Sequence, residues 1–76
     1  MASYTYDQFR EVLRNLRFEK LRSVKHETWR KLLPNGAILR VRISHKHGKD
    51  IPNWLFHEML RQAGIDKDQF KKILDQ

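Results

Sequence analysis

His26-Glu27-Thr28-Trp29-Arg30-Lys31-Leu32-Leu33, then Pro34-Asn35-Gly36, then Ala37-Ile38-Leu39-Arg40-Val41-Arg42-Ile43-Ser44: this stretch decides how the rest of the chain folds. Both flanking runs carry the β-branched and aromatic content typical of strands. Pro-Asn-Gly between them is a strong turn signal, because Asn-Gly accepts positive φ at little steric cost. Side chains alternate across a strand. In the run 37–44, Leu39, Val41 and Ile43 therefore face one way, and Ile38, Arg40, Arg42 and Ser44 the other. In the run 26–33, Trp29 and Leu33 share a face with Glu27 and Lys31, while His26, Thr28, Arg30 and Leu32 share the opposite one. The expectation is a hairpin with one apolar face and one largely cationic face.

Reading outward, residues 18–24 alternate imperfectly and predict a short first strand, with an edge position. Before it, Thr5 is a good N-cap with Gln8 at capping-box spacing. Phe9, Val12, Leu13 and Leu16 then recur as one helical stripe. Arg10, Arg14 and Arg17 fall on another face, expected to be solvated. After the hairpin, the run 45–50 reads as a polar loop. Pro52 fits the first turn of a second helix, whose apolar stripe is Leu55, Phe56, Met59, Leu60 and Ala63. Gly64 is a natural terminator. Asp66 caps a short third helix, with Gln69 at box spacing and Phe70, Ile73 and Leu74 as its apolar set. The predicted fold class is α+β: a two-layer sandwich in the order α-β-β-β-α-α. A three-stranded antiparallel sheet would have its apolar face covered by helices and its cationic face open.

Composition narrows the function. The chain has 76 residues, enough for a single domain with a modest core and no deep cofactor cavity. Without cysteine, disulfide scaffolds, thiolate zinc sites and iron–sulfur clusters are excluded. Apolar runs are short, so neither a membrane span nor a signal peptide is expected, and the cytoplasm is the default compartment. The formal net charge of +7 is uneven: residues 10–49 hold 12 Lys+Arg against 3 acids, while residues 50–76 are nearly balanced. A local excess of this kind attracts a polyanion by counterion release. Nucleic acid is the first expectation, and an acidic protein partner is compatible with it.

No Ser-His-Asp or Cys-His arrangement is legible, and with three glycines there is no Gly-rich phosphate loop. His45 and His47 have no carboxylate or cysteine at ligand spacing to complete a metal site. Asp66 and Asp68 open a helix, where they suit its dipole. His57 falls off its helix's apolar stripe, and Trp29 reads as sheet packing. A histidine is the side chain best suited to proton transfer near neutral pH; His26, at the start of the second strand between Lys25 and Glu27, reads from its neighbours alone as a surface residue.

The segments Arg22-Ser23-Val24-Lys25-His26-Glu27-Thr28-Trp29, Leu33-Pro34-Asn35-Gly36, His45-Lys46-His47-Gly48-Lys49-Asp50-Ile51-Pro52 and Leu60-Arg61-Gln62-Ala63-Gly64-Ile65 resemble the HicA family, the small toxins of HicA–HicB toxin–antitoxin pairs. The resemblance spans roughly residues 8–74. It implies a fold similar to a double-stranded-RNA-binding domain, an endoribonuclease activity on messenger RNA without a cofactor, and a HicB-like antitoxin as partner. His26 matches the family's functional histidine, which usually ends a Gly-Ser-His triplet; Val24 and Lys25 stand where glycine and serine are usual. Arg22, Lys25, Arg30, Arg40, Arg42, Lys46 and Lys49 are then candidates for holding RNA phosphates. The alternative is a non-catalytic module that recognises the RNA phosphate backbone through the same face.

Overall fold

A computed structural model describes residues 3–21, 26–44 and 49–75. The elements run α1 (Tyr6–Asn15), β1 (Glu19–Leu21), β2 (His26–Leu32), β3 (Ile38–Ser44), α2 (Asn53–Ala63) and α3 (Lys67–Leu74), the predicted order. The sheet is an antiparallel meander, β1-β2-β3. Its central register places Trp29 opposite Val41 and Thr28 opposite Arg42. Trp29, Val41 and Ile43 are buried on one face against Phe9, Val12 and Leu13 of α1, Phe56, Met59 and Leu60 of α2, and Phe70 of α3. The helices therefore share one core with the buried face of the sheet, α3 joining it through Phe70, whose ring meets Phe9 and Phe56.

The helix ends follow the local sequence. Thr5 Oγ1 accepts the Gln8 N–H while the Gln8 side chain accepts the Thr5 N–H, and Asp66 and Gln69 repeat the exchange at α3. Pro52 sits one residue before α2 rather than in its first turn. Gly64 ends α2 at φ 73°, with the Ile65 N–H reaching back to Leu60. The end of α1 has the same hydrogen bonding, Phe18 N–H to Leu13 C=O, but uses Arg17 at φ 69° in place of glycine. That substitution explains why the end of α1 has no signal in the sequence.

In the hairpin turn, Gly36 carries the positive φ, 89°. Asn35 contributes through its side chain, whose Oδ1 accepts the Ala37 N–H at 2.9 Å. The described part of the first strand is shorter than residues 18–24: Phe18 precedes it and is buried in the core.

Candidate nucleic-acid interface

The uncovered face of the sheet is built in rows. Glu19, Arg30 and Arg40 form one row across the three strands, and Leu21, Thr28 and Arg42 the next; His26 pairs with Ser44 at one end and Leu32 with Ile38 at the other. Two contacts fix the hydrogen-bonding phase of β3. The Arg42 N–H reaches the Gln62 side chain at 3.3 Å, and the Ser44 C=O accepts from Arg10 Nη2 at 2.8 Å. Both groups therefore point away from β2. The pairs on the open face are then the non-hydrogen-bonded kind, in which side chains approach most closely. Arg30 and Arg40 stand directly opposite each other, an arrangement of like charges that a bound anion would relieve.

His26 is exposed and lies diagonal to Arg42, a spacing of roughly 7–8 Å between neighbouring strands. Arg40 and Arg42 are exposed, and Arg30 is half-buried with Glu19 at 3.6 Å. Two open clefts border this face. One of ≈ 280 Å³ is lined by His26, Arg42, Ser44, Leu55, Met59 and Gln62. The other, ≈ 560 Å³, lies at the hairpin end and includes Arg17, Arg30, Leu32 and Ile38. Leu32 and Ile38 leave an exposed apolar pair beside it.

Beneath His26 the sheet is clamped. Arg10 is 3% exposed, not on the solvated helix face expected of it. Helical geometry explains the correction: Arg10 stands four residues after Tyr6 and three before Leu13, both buried, so it shares their stripe. Arg10 Nε donates to both Glu27 oxygens at 2.9 and 3.1 Å, and Nη2 lies 2.9 Å from Oε2. Arg10 Nη1 donates to Asp7 at 2.8 Å. Trp29 Nε1 donates to Glu27 Oε1 at 3.2 Å, and Lys20 Nζ lies 3.9 Å from it. Burial alone would raise the Glu27 carboxyl pKa. The hydrogen bonds from Arg10 and Trp29, helped by the charges of Arg10 and Lys20, outweigh that and hold it below the ordinary value. Arg10 thereby ties α1 to the first residues of β2 and, through Ser44, to the last residue of β3. This is the end of the hairpin where His26 sits.

Of the residues anticipated from sequence, His26, Arg30, Arg40 and Arg42 are brought onto one face. Lys49 is exposed but held elsewhere, its C=O accepting the Tyr6 N–H at the start of α1. Arg22, Lys25 and Lys46 lie outside the described residues, as do His45 and His47. His57 is exposed on α2, and Trp29 is buried in the core. Arg14 sits over the Trp29 ring at 5.7 Å. Gln62 and the Arg10–Glu27 pair were not anticipated. Glu27 did carry a signal: strand alternation puts it on the Trp29 face, where a carboxylate demands a buried cation. No helix among the described residues is long and apolar enough to cross a membrane. Comparison with family models, curated proteins and solved structures finds no match to this chain.

Proposed function

We propose that the protein is a metal-independent endoribonuclease of the HicA type, a cytoplasmic toxin that cuts messenger RNA and is restrained by a HicB-like antitoxin. The fold, on this reading, is a variant of the double-stranded-RNA-binding domain. One observation carries the proposal: the water-accessible imidazole of His26 shares an open cationic face with Arg30, Arg40 and Arg42.

RNA brings its own nucleophile. The ribose 2′-OH attacks the adjacent phosphorus, and the P–O5′ bond breaks. The products are a 2′,3′-cyclic phosphate and a 5′-OH. A base removes the 2′ proton, an acid supplies one to O5′, and cations offset the extra charge on the phosphorane. His26 performs one of the two proton transfers. Arg42, its diagonal neighbour, is placed to meet the phosphate, and Arg30 and Arg40 hold the flanking strand. An acidic antitoxin would cover the same face, because the charge that attracts RNA attracts carboxylates as well.

The decisive assay incubates the purified protein with labelled RNA and with DNA of the same sequence, in EDTA. The expected result is cyclic-phosphate products from RNA alone. His26→Ala is expected to lower the rate by about 10²–10⁴ with stability unchanged within about 0.5 kcal/mol, as for an exposed site. Equal cleavage by His26→Ala would remove His26 from the mechanism. RNA bound in a salt-dependent way but left intact would favour the non-catalytic module, a reading supported by Val24 and Lys25 in place of Gly-Ser.

A further inference from the structure

We infer that the hairpin end of the open face is a docking site for a partner protein, and that it takes an acidic segment carrying one apolar anchor side chain. This deepens the acidic-partner reading above and is independent of the cleavage chemistry.

Of the three large apolar side chains exposed among the described residues, two stand side by side here, Leu32 at 69% and Ile38 at 48%. They are partners in the β2–β3 register. The next pair toward the turn is hydrogen-bonded, Leu33 N–H to Ala37 C=O at 2.8 Å, so Leu32 and Ile38 form the other kind of pair, which brings side chains closest. Together they wall the ≈ 560 Å³ cleft at this end, within the roughly 300–1,000 Å³ of sites that bury a ligand. The rest of the lining is charged: Arg17, Arg30 and Lys31 against Glu19 alone. Arg40 stands in the adjoining row, opposite Arg30.

That combination chooses the occupant. A second copy of the chain would cover the apolar pair but set these cations against themselves, a like-charge contact that costs affinity. An RNA strand would satisfy the cations and leave Leu32 and Ile38 against its charged backbone or water, with no aromatic ring in the lining for a base to stack on. An acidic peptide with one phenylalanine satisfies both. The ring fills the cleft beside the arginines, and carboxylates meet the cationic rim, the anchor-and-rim arrangement of protein interfaces. His26 lies six residues away along β2, roughly 20 Å at about 3.3 Å per residue. An extended segment of about seven residues therefore reaches from the anchor across the Arg30–Arg40 row to Arg42 and His26.

The probe is a synthetic peptide of about eight residues, capped at both ends, with one phenylalanine followed by alternating glutamate and glycine. Its control has serine in place of phenylalanine. Methyl signals of Leu32 and Ile38 are followed by NMR during titration. The phenylalanine peptide is expected to shift both methyls and to bind about 10-fold more tightly than the control, the scale of burying about half of one such side chain. Salt should weaken both peptides and leave the ratio. Leu32→Ser with Ile38→Thr, both at exposed positions and so tolerated by the fold, should bring the ratio to one. Equal affinities, or methyls that do not move, would overturn the inference. So would a dimer of the unaltered protein that the double variant dissolves, which makes a second copy the occupant. RNA binding weakened by the double variant would also overturn it and give the patch to RNA. The ratio is measured without RNA, so an absent nuclease activity leaves it standing, and equal peptide affinities leave the nuclease standing.

Discussion

On the helix side of the sheet, Glu27 meets Arg10 at 2.9 Å in a site closed to water; on the open side, Glu19 meets Arg30 at 3.6 Å with water around both. The residue types are the same and their consequences differ. A buried carboxylate and guanidinium have lost their hydration and depend on one another, so removing either leaves a stranded charge. The exposed pair keeps its hydration, and its attraction is weakened by solvent and salt. Charge on the helix side therefore holds the structure together, whereas charge on the open side remains available to a polyanion. Part of the chain's formal excess is thus unavailable for binding, Arg10 being neutralised inside the fold.

The largest effect that tests this contrast is on stability. Arg10→Met is expected to cost about 3–5 kcal/mol, because it takes the buried guanidinium from the Glu27 carboxylate. Glu19→Gln is expected to cost about 1 kcal/mol or less. Urea unfolding of both variants decides the matter, and similar losses would erase the distinction between the faces. Replacing both partners, Arg10→Met with Glu27→Leu, should recover most of the stability lost in the single variant.

The second effect is the same pair seen through pH. The Glu27 carboxyl pKa is lowered in the folded state, so the unfolded chain takes up its proton first. The stabilisation is fully present above the unfolded carboxylate range, near 4.5, and is lost as pH falls through the lower folded value. Thermal midpoints measured from neutral pH down to strongly acidic conditions should fall in that window. Glu27→Gln, less stable throughout, should show a shallower decline. Glu58 is also held low, chiefly by its hydrogen bond from Arg61, but that pair is exposed and should contribute little to the acid transition in salt.

The smallest effect belongs to the open face. Arg40→Ala is expected to leave stability within about 0.5 kcal/mol and to weaken RNA binding at all sequences. The dependence of log affinity on log salt should flatten by about 0.7–0.9, the contribution of one phosphate contact. An unchanged slope would place the RNA off this face.

Strand parity, two capping boxes, the Asn35-Gly36 turn and the Gly64 terminator were all legible along the chain, because each rests on residues within a few positions of one another. So was the cationic face, since alternation alone puts Arg40 and Arg42 opposite Val41 and Ile43. Less was legible at α1. The stripe Phe9, Val12, Leu13 and Leu16 leaves Arg10 one residue outside it, and a charged side chain at that position looks solvated until its distant partner is known.

What tertiary structure decided are the pairings between distant positions: Arg10 with Glu27, 17 residues apart, Arg10 with the Ser44 carbonyl, 34 apart, and Gln62 with the Arg42 main chain, 20 apart. Local sequence shows only that the Glu27 carboxylate, on the Trp29 face, needs a partner, since a buried acceptor left unpaired is costly. Which partner it finds depends on how the helices lie across the sheet. That packing also brings α2 beside β3 and opens the cleft next to His26.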